Sequence, residues 1–99
     1  MATDARRKFE AFKRRERKFH RACHHIRMLN RRIEETQSRY DNAYARQQRP
    51  FRYTYRLQIA TLEGVRNMFY EYASRQAEKL EKIQEELIEA GLISPEYAQ

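Results

Sequence analysis

A run of positions from residue 9 to residue 44, namely 9, 12, 16, 19, 23, 26, 30, 33, 37, 40 and 44, steps by alternating threes and fours through the first half of the chain. That spacing keeps one side of an α-helix turned toward a neighbour and marks a heptad seam. One row of the seam is apolar throughout, with Phe12, Phe19, Ile26, Ile33 and Tyr40. The other mixes Phe9, Cys23 and Tyr44 with Glu16, Asn30 and Gln37. Polar residues at seam positions weaken packing while fixing register, so this helix is expected to need a specific mate. Neither Pro nor Gly falls within residues 1–49, and Thr3 or Asp4 is placed to accept from the free N–H groups of a helix start. The pattern predicts a basic first helix over about residues 4–47. At ~1.5 Å per residue, it is a rod about 60 Å long.

Pro50 predicts the break, because proline lacks an N–H and disfavours helix at the residue before it. Beyond it Phe51, Tyr53, Tyr55, Leu57 and Ile59 alternate with Arg52, Thr54, Arg56 and Gln58, formally a strand pattern. A lone strand has no sheet to join, so residues 48–55 are read as an extended connector. A second helix is expected over residues 55–90, with Leu62, Val65, Phe69, Tyr72, Gln76, Leu80, Ile83 and Leu87 on one stripe. Two consecutive steps of four, ending at Leu80, read as a stutter that locally unwinds a supercoil. Gly91 is a left-handed helix stop, with Leu92 folding back toward Leu87 as in a Schellman motif. Ser94, Pro95 and Glu96 resemble the cap and first turn of a helix that does not develop, leaving residues 91–99 as a tail. The expected fold is all-α: a single helical unit over residues 1–99, with two long helices joined by a Pro-containing connector. They form either a helical hairpin or a pair laid out extended along partners.

Charge adds a direction to this picture. The 99 residues carry a formal charge of +7, but residues 1–56 hold 17 Lys/Arg against 6 Asp/Glu, whereas residues 57–99 hold 4 against 8. A closed hairpin sets the basic first helix beside the acidic end of the second. Ten Lys/Arg fall within residues 6–27 against two acids, more than solubility requires. The excess points to a partner of negative potential, with an acidic protein, nucleic acid or an anionic membrane as the candidates. No nucleic-acid motif accompanies the charge, so nucleic acid is the weaker reading. At 99 residues the chain buries a modest core, and it is expected to lean on partners. No apolar run approaches the ~20 residues of a membrane span. Asp4, Glu10 and Glu16, with no serine in the first 22 residues, argue against a mitochondrial presequence. The single cysteine rules out an internal disulfide and suits a reducing compartment.

Candidate chemistry is sparse. His20, Cys23, His24 and His25 are the one cluster suggestive of metal, and His20 and His24 share a helical face; a structural zinc wants four ligands, and a second pair is lacking elsewhere. Cys23 is expected on the seam, with His24 and His25 facing solvent or a partner. There is no Gly-rich phosphate loop and no serine nucleophile motif, so no catalytic residue, cofactor or metal is assigned, and a non-enzymatic binding protein is expected. Arg14, Arg15, Arg17, Lys18 and Arg21 are the candidate contacts of the basic helix. Arg49, Phe51, Arg52, Tyr53 and Arg56 interleave aromatics with arginines, which suits wedging into a protein surface as well as base stacking. Tyr53, Tyr70 and Tyr97 lie off the stripe and are expected to meet partners.

The second half of the chain resembles the small microtubule inner proteins of cilia and flagella. Arg49-Pro50-Phe51 with Arg56-Leu57 matches the Pro-aromatic turn that leads into an Arg-bearing helix, and Glu86-Leu87-Ile88-Glu89-Ala90-Gly91-Leu92 matches that helix's end. Ile83 and Lys79 depart from the family's aromatic and acid, and the Arg-rich first helix has no counterpart. The resemblance covers about half the chain. It implies a structural protein of the ciliary axoneme, a coiled-coil staple of the cytoskeleton that packs on tubulin and neighbouring proteins inside doublet microtubules. A basic ribosome-associated protein and an accessory subunit of a mitochondrial complex are the alternative readings.

Overall fold

Why the chain turns where it does is answered by two helix ends of identical form. The computed structural model describes the backbone of residues 2–98 and the side chains of residues 4–96. Helix α1 spans Ala2–Ala45 and helix α2 spans Arg49–Glu89, followed by a short 3-10 turn at Pro95–Ala98. At the end of α1 the Gln48 N–H donates to the Ala43 carbonyl at 2.9 Å and the Gln47 N–H to the Tyr44 carbonyl at 3.1 Å. At the end of α2 the Leu92 N–H donates to the Leu87 carbonyl at 2.9 Å and the Gly91 N–H to the Ile88 carbonyl at 3.0 Å. Both are Schellman motifs, in which a left-handed residue reverses the chain so that the last carbonyls find donors. Gly91 takes φ 74°, as the sequence led one to expect; Gln47 takes φ 57° without glycine's freedom.

The all-α class and the order of two long helices agree with the sequence reading, but the boundaries need correcting. α1 starts at Ala2, so Asp4 lies within the first turn, where its carboxylate meets the positive end of the helix, and not ahead of it as a cap. Thr3, the other candidate cap, has its side chain outside the described residues. The expected connector over residues 48–55 is helical from Arg49 onward, and only residues 46–48 separate the two helices. Pro50 opens α2: in the first turn an N–H has no intrahelical acceptor, so proline forfeits nothing there. Gln48 both closes α1 and receives the Arg52 N–H at 3.0 Å, which starts α2. In the tail, the Glu96 N–H donates to Ser94 Oγ at 3.4 Å, so the serine caps a single 3-10 turn.

The contacts gather in two compact units, Met1–Ala22 with Tyr72–Gln99 (the terminal unit) and Cys23–Glu71 (the turn unit). Within each, the helices run antiparallel. In the terminal unit Lys8 reaches Glu86 and Arg15 reaches Gln76; in the turn unit His25 meets Phe69 and Asn30 meets Arg66.

The seam is rotated by one residue from the sequence reading. On α1 the apolar row Phe12, Phe19, Ile26, Ile33 and Tyr40 faces inward as expected, Ile26 being buried and the others half-buried. The second row is Arg15, Ala22, Leu29, Thr36 and Ala43, with Ala22, Thr36 and Ala43 buried. Of the expected row, Phe9, Gln37 and Tyr44 are exposed, whereas Glu16, Cys23 and Asn30 are half-buried at the margin of the seam. Burying Glu16 and Gln37 would strand polar groups away from water. They settle on their own helix instead, Glu16 at 3.7 Å from His20 and Gln37 donating to Asp41 at 3.1 Å. Small residues in the second row also allow α2 a close approach.

On α2 the stutter is absent. Residues 52, 55, 59, 62, 66, 69, 73, 76, 80, 83 and 87 are all buried or half-buried and alternate threes and fours without interruption. Arg66 and Ala73 replace Val65 and Tyr72 of the expected stripe: Val65 is 38% exposed, whereas Ala73 is buried. Leu87 is the one large side chain fully buried among the described residues, so each unit has a thin core.

Candidate binding surfaces

The ten residues singled out from the sequence fall into two groups, five on each unit. In the terminal unit, residues of α1 up to Ala22 hold nine Lys/Arg against three acids, and α2 with the tail holds three against six. Of the five α1 candidates, Arg14, Arg17, Lys18 and Arg21 are exposed. Arg17 and Arg21 stand one turn apart, and Lys13, also exposed, extends the line by a further turn. The outcome is a cationic ridge on the side of α1 away from its seam. Its acids are few: Glu10 is held by Arg6 at 3.3 Å, leaving the ridge little internal neutralisation. Arg15 does not belong to it. Half-buried on the seam, it donates from Nη1 to Gln76 Oε1 at 3.2 Å, so its charge fixes register between helices. The expected pairing of opposite charge across the helices is present in this unit as Lys8 to Glu86 at 3.7 Å, a contact 54% exposed on both sides and therefore weak.

In the turn unit, helical winding sorts the second group. Were residues 48–55 extended, Phe51 and Tyr53 would point the same way; as helix, they diverge. Arg49, Tyr53 and Arg56 share one exposed face at i, i+4, i+7 spacing, with Tyr53 63% exposed. Phe51 stands apart, 58% exposed at the end of the hairpin. Arg52 turns inward, its guanidinium 4.9 Å from the centroid of the Tyr44 ring across the turn. This cation–π contact braces residues 46–48. Of the tyrosines expected to meet partners, Tyr70 is 46% exposed, and the Tyr97 side chain lies outside the described residues.

His25 is exposed as expected, and its ring also stacks on Phe69 of α2 with centroids 5.0 Å apart. His24 is exposed, and Cys23 is free and half-buried beside the seam. Among the described residues no three His, Cys, Asp or Glu side chains gather as metal ligands, and no helix is long and apolar enough to cross a membrane. Sequence reasoning missed the exposed apolar side chains Met28, Leu57 and Met68. A signal existed for Leu57, since residues 57–62 form an uncharged stretch in a highly charged chain. Comparison with protein-family models, with curated proteins and with solved structures finds no match for this chain.

Proposed function

We propose that the chain is a non-enzymatic structural protein of the ciliary axoneme, binding tubulin and neighbouring proteins inside doublet microtubules and stabilising them. The observation that carries this reading is the imbalance between core and surface. Among the described residues Leu87 is the one large side chain that is fully buried, while Phe9, Tyr44, Phe51, Tyr53, Leu57, Met68 and Tyr70 are all at least 40% exposed. Such a protein gains its remaining burial from other subunits. The cationic ridge of Arg14, Arg17, Lys18 and Arg21 suits the acidic surface of tubulin, and the Pro50 helix start and Gly91 stop are the features the inner-protein family shares with this chain.

The ridge equally favours phosphate, which keeps an RNA-bound or ribosome-associated protein as the second reading. Tagging the protein in a ciliated cell, demembranating the cilia and washing the doublets in high salt separates these. Retention on the doublets is the expected result, with charge reversal at Arg14, Arg17 and Arg21 reducing incorporation. Absence from cilia overturns the proposal, and release by RNase or co-fractionation with mitochondria then identifies which alternative holds.

A further inference from the structure

One side of the turn unit carries a groove between the helices that the chain leaves unfilled. Thr36, Thr54 and Thr61 line it, and all three hydroxyls are spoken for: each donates to the carbonyl four residues earlier on its own helix, at 2.8, 3.1 and 3.1 Å. With their protons committed, these threonines offer a visitor methyl groups and acceptor lone pairs but no hydroxyl donor. Leu57, 52% exposed, and Leu62 add to the same lining, so an apolar strip of leucine and threonine methyls runs between polar walls. Along its α1 side stand Arg32 and Arg39, both exposed and seven residues apart. Neither meets a carboxylate within 4 Å among the described residues, Glu35 between them included. Cations repeated at seven residues beside an apolar strip occupy the flanking positions by which heptad helices choose partners.

We propose that this groove docks an amphipathic helix of a partner protein. That helix presents an apolar heptad row to Leu57 and the threonine methyls, and carboxylates seven residues apart to Arg32 and Arg39. A second copy of this chain does not supply such a helix: Glu71, Glu78 and Glu85 stand seven apart on α2, but the apolar row of that helix is turned to α1, and α1 is itself basic. The inference stands apart from the axonemal reading, since it concerns what the groove binds and not where the protein resides.

The test uses the full chain and two synthetic four-heptad helical peptides with the same leucine seam, one flanked by Glu and the other by Lys, followed by fluorescence anisotropy near physiological salt. The Glu-flanked peptide is expected to bind at least 10-fold more tightly. R32E/R39E reverses that preference, L57E weakens binding of the Glu-flanked peptide at least 10-fold, and R17E/R21E on the terminal unit leaves it within about 2-fold. Circular dichroism confirms that each variant keeps its helicity; Leu57, Arg32 and Arg39 lie off the seam, so folding is expected to survive. Equal affinity for the two peptides overturns the proposal, as does equal loss in R32E/R39E and R17E/R21E, which signifies general charge attraction. Self-association of the chain abolished by L57E assigns the groove to a second copy and also overturns it.

Discussion

Arg66 of α2 donates from Nη1 to Oδ1 of Asn30 on α1 at 3.3 Å, while its Nε is buried without a hydrogen-bond partner. A cation placed on the seam and incompletely satisfied there is a device for register more than for stability. Asn30→Ala removes the partner and is expected to destabilise the turn unit by about 1–2 kcal/mol. The double substitution Asn30→Leu with Arg66→Leu is expected to raise the urea midpoint above that of the unaltered chain, because both polar partners leave together. Equilibrium urea unfolding followed by circular dichroism reads both; a double variant less stable than Asn30→Ala counts against the register argument.

Gln47 occupies a left-handed conformation at φ 57°. Side chains with a Cβ are strained there by roughly 1–2 kcal/mol, and glycine is not. Gln47→Gly is therefore expected to raise thermal stability, by about 1 kcal/mol. Gln47→Pro, whose ring holds φ near −65°, should break the turn between α1 and α2. Melting temperatures of the two variants moving in the same direction would contradict this account of the turn.

Gly64 lies in the interior of α2 at φ below zero, and a Cβ added there meets no heavy atom within 4 Å. Nothing among the described residues requires glycine at that position. Gly64→Ala should stabilise the free protein by about 1 kcal/mol through the reduced entropy of its unfolded state. Differential scanning calorimetry checks it, and an unchanged or lowered melting temperature refutes it.

Leu87 is fully buried and its carbonyl also accepts the Leu92 N–H that ends α2. Leu87→Ala is expected to cost about 2–5 kcal/mol, a large share of what so small a core supplies. Because its packing lies in the terminal unit, hydrogen exchange should accelerate first in residues 72–89, while amides of residues 26–43 are less affected. Uniform acceleration throughout both ranges would mean that the two units open together.

Much of the outline was legible in the amino-acid order. Long stretches free of Pro and Gly, the heptad spacing of Phe12, Phe19, Ile26, Ile33 and Tyr40, and the Gly91 stop together gave two helices and one of the two Schellman ends. The second such end, at Gln47, escaped because its residue carries no local preference for the left-handed region; it adopts that region because the helices on either side pack. The connector was misjudged for a related reason. Alternation in residues 51–59 mimics a strand, but Tyr55 and Ile59 are each three or four residues from the next seam position, and only a mate on α1 makes that spacing count.

Sequence by itself determined the helical class, the charge asymmetry and the exposed basic ridge, since these depend on local propensity and on side chains too costly to bury. The tertiary structure decided which residues form the seam. A hydrophobicity pattern gives alanine little weight and arginine none, so Ala22, Ala43, Ala73 and Arg66 were passed over in favour of Cys23, Tyr44, Tyr72 and Val65. Packing ranks them differently, because the approach of two helices is limited by the bulk between their backbones, and small residues, or a long stem that carries its charge to a partner such as Asn30, are what let the surfaces meet.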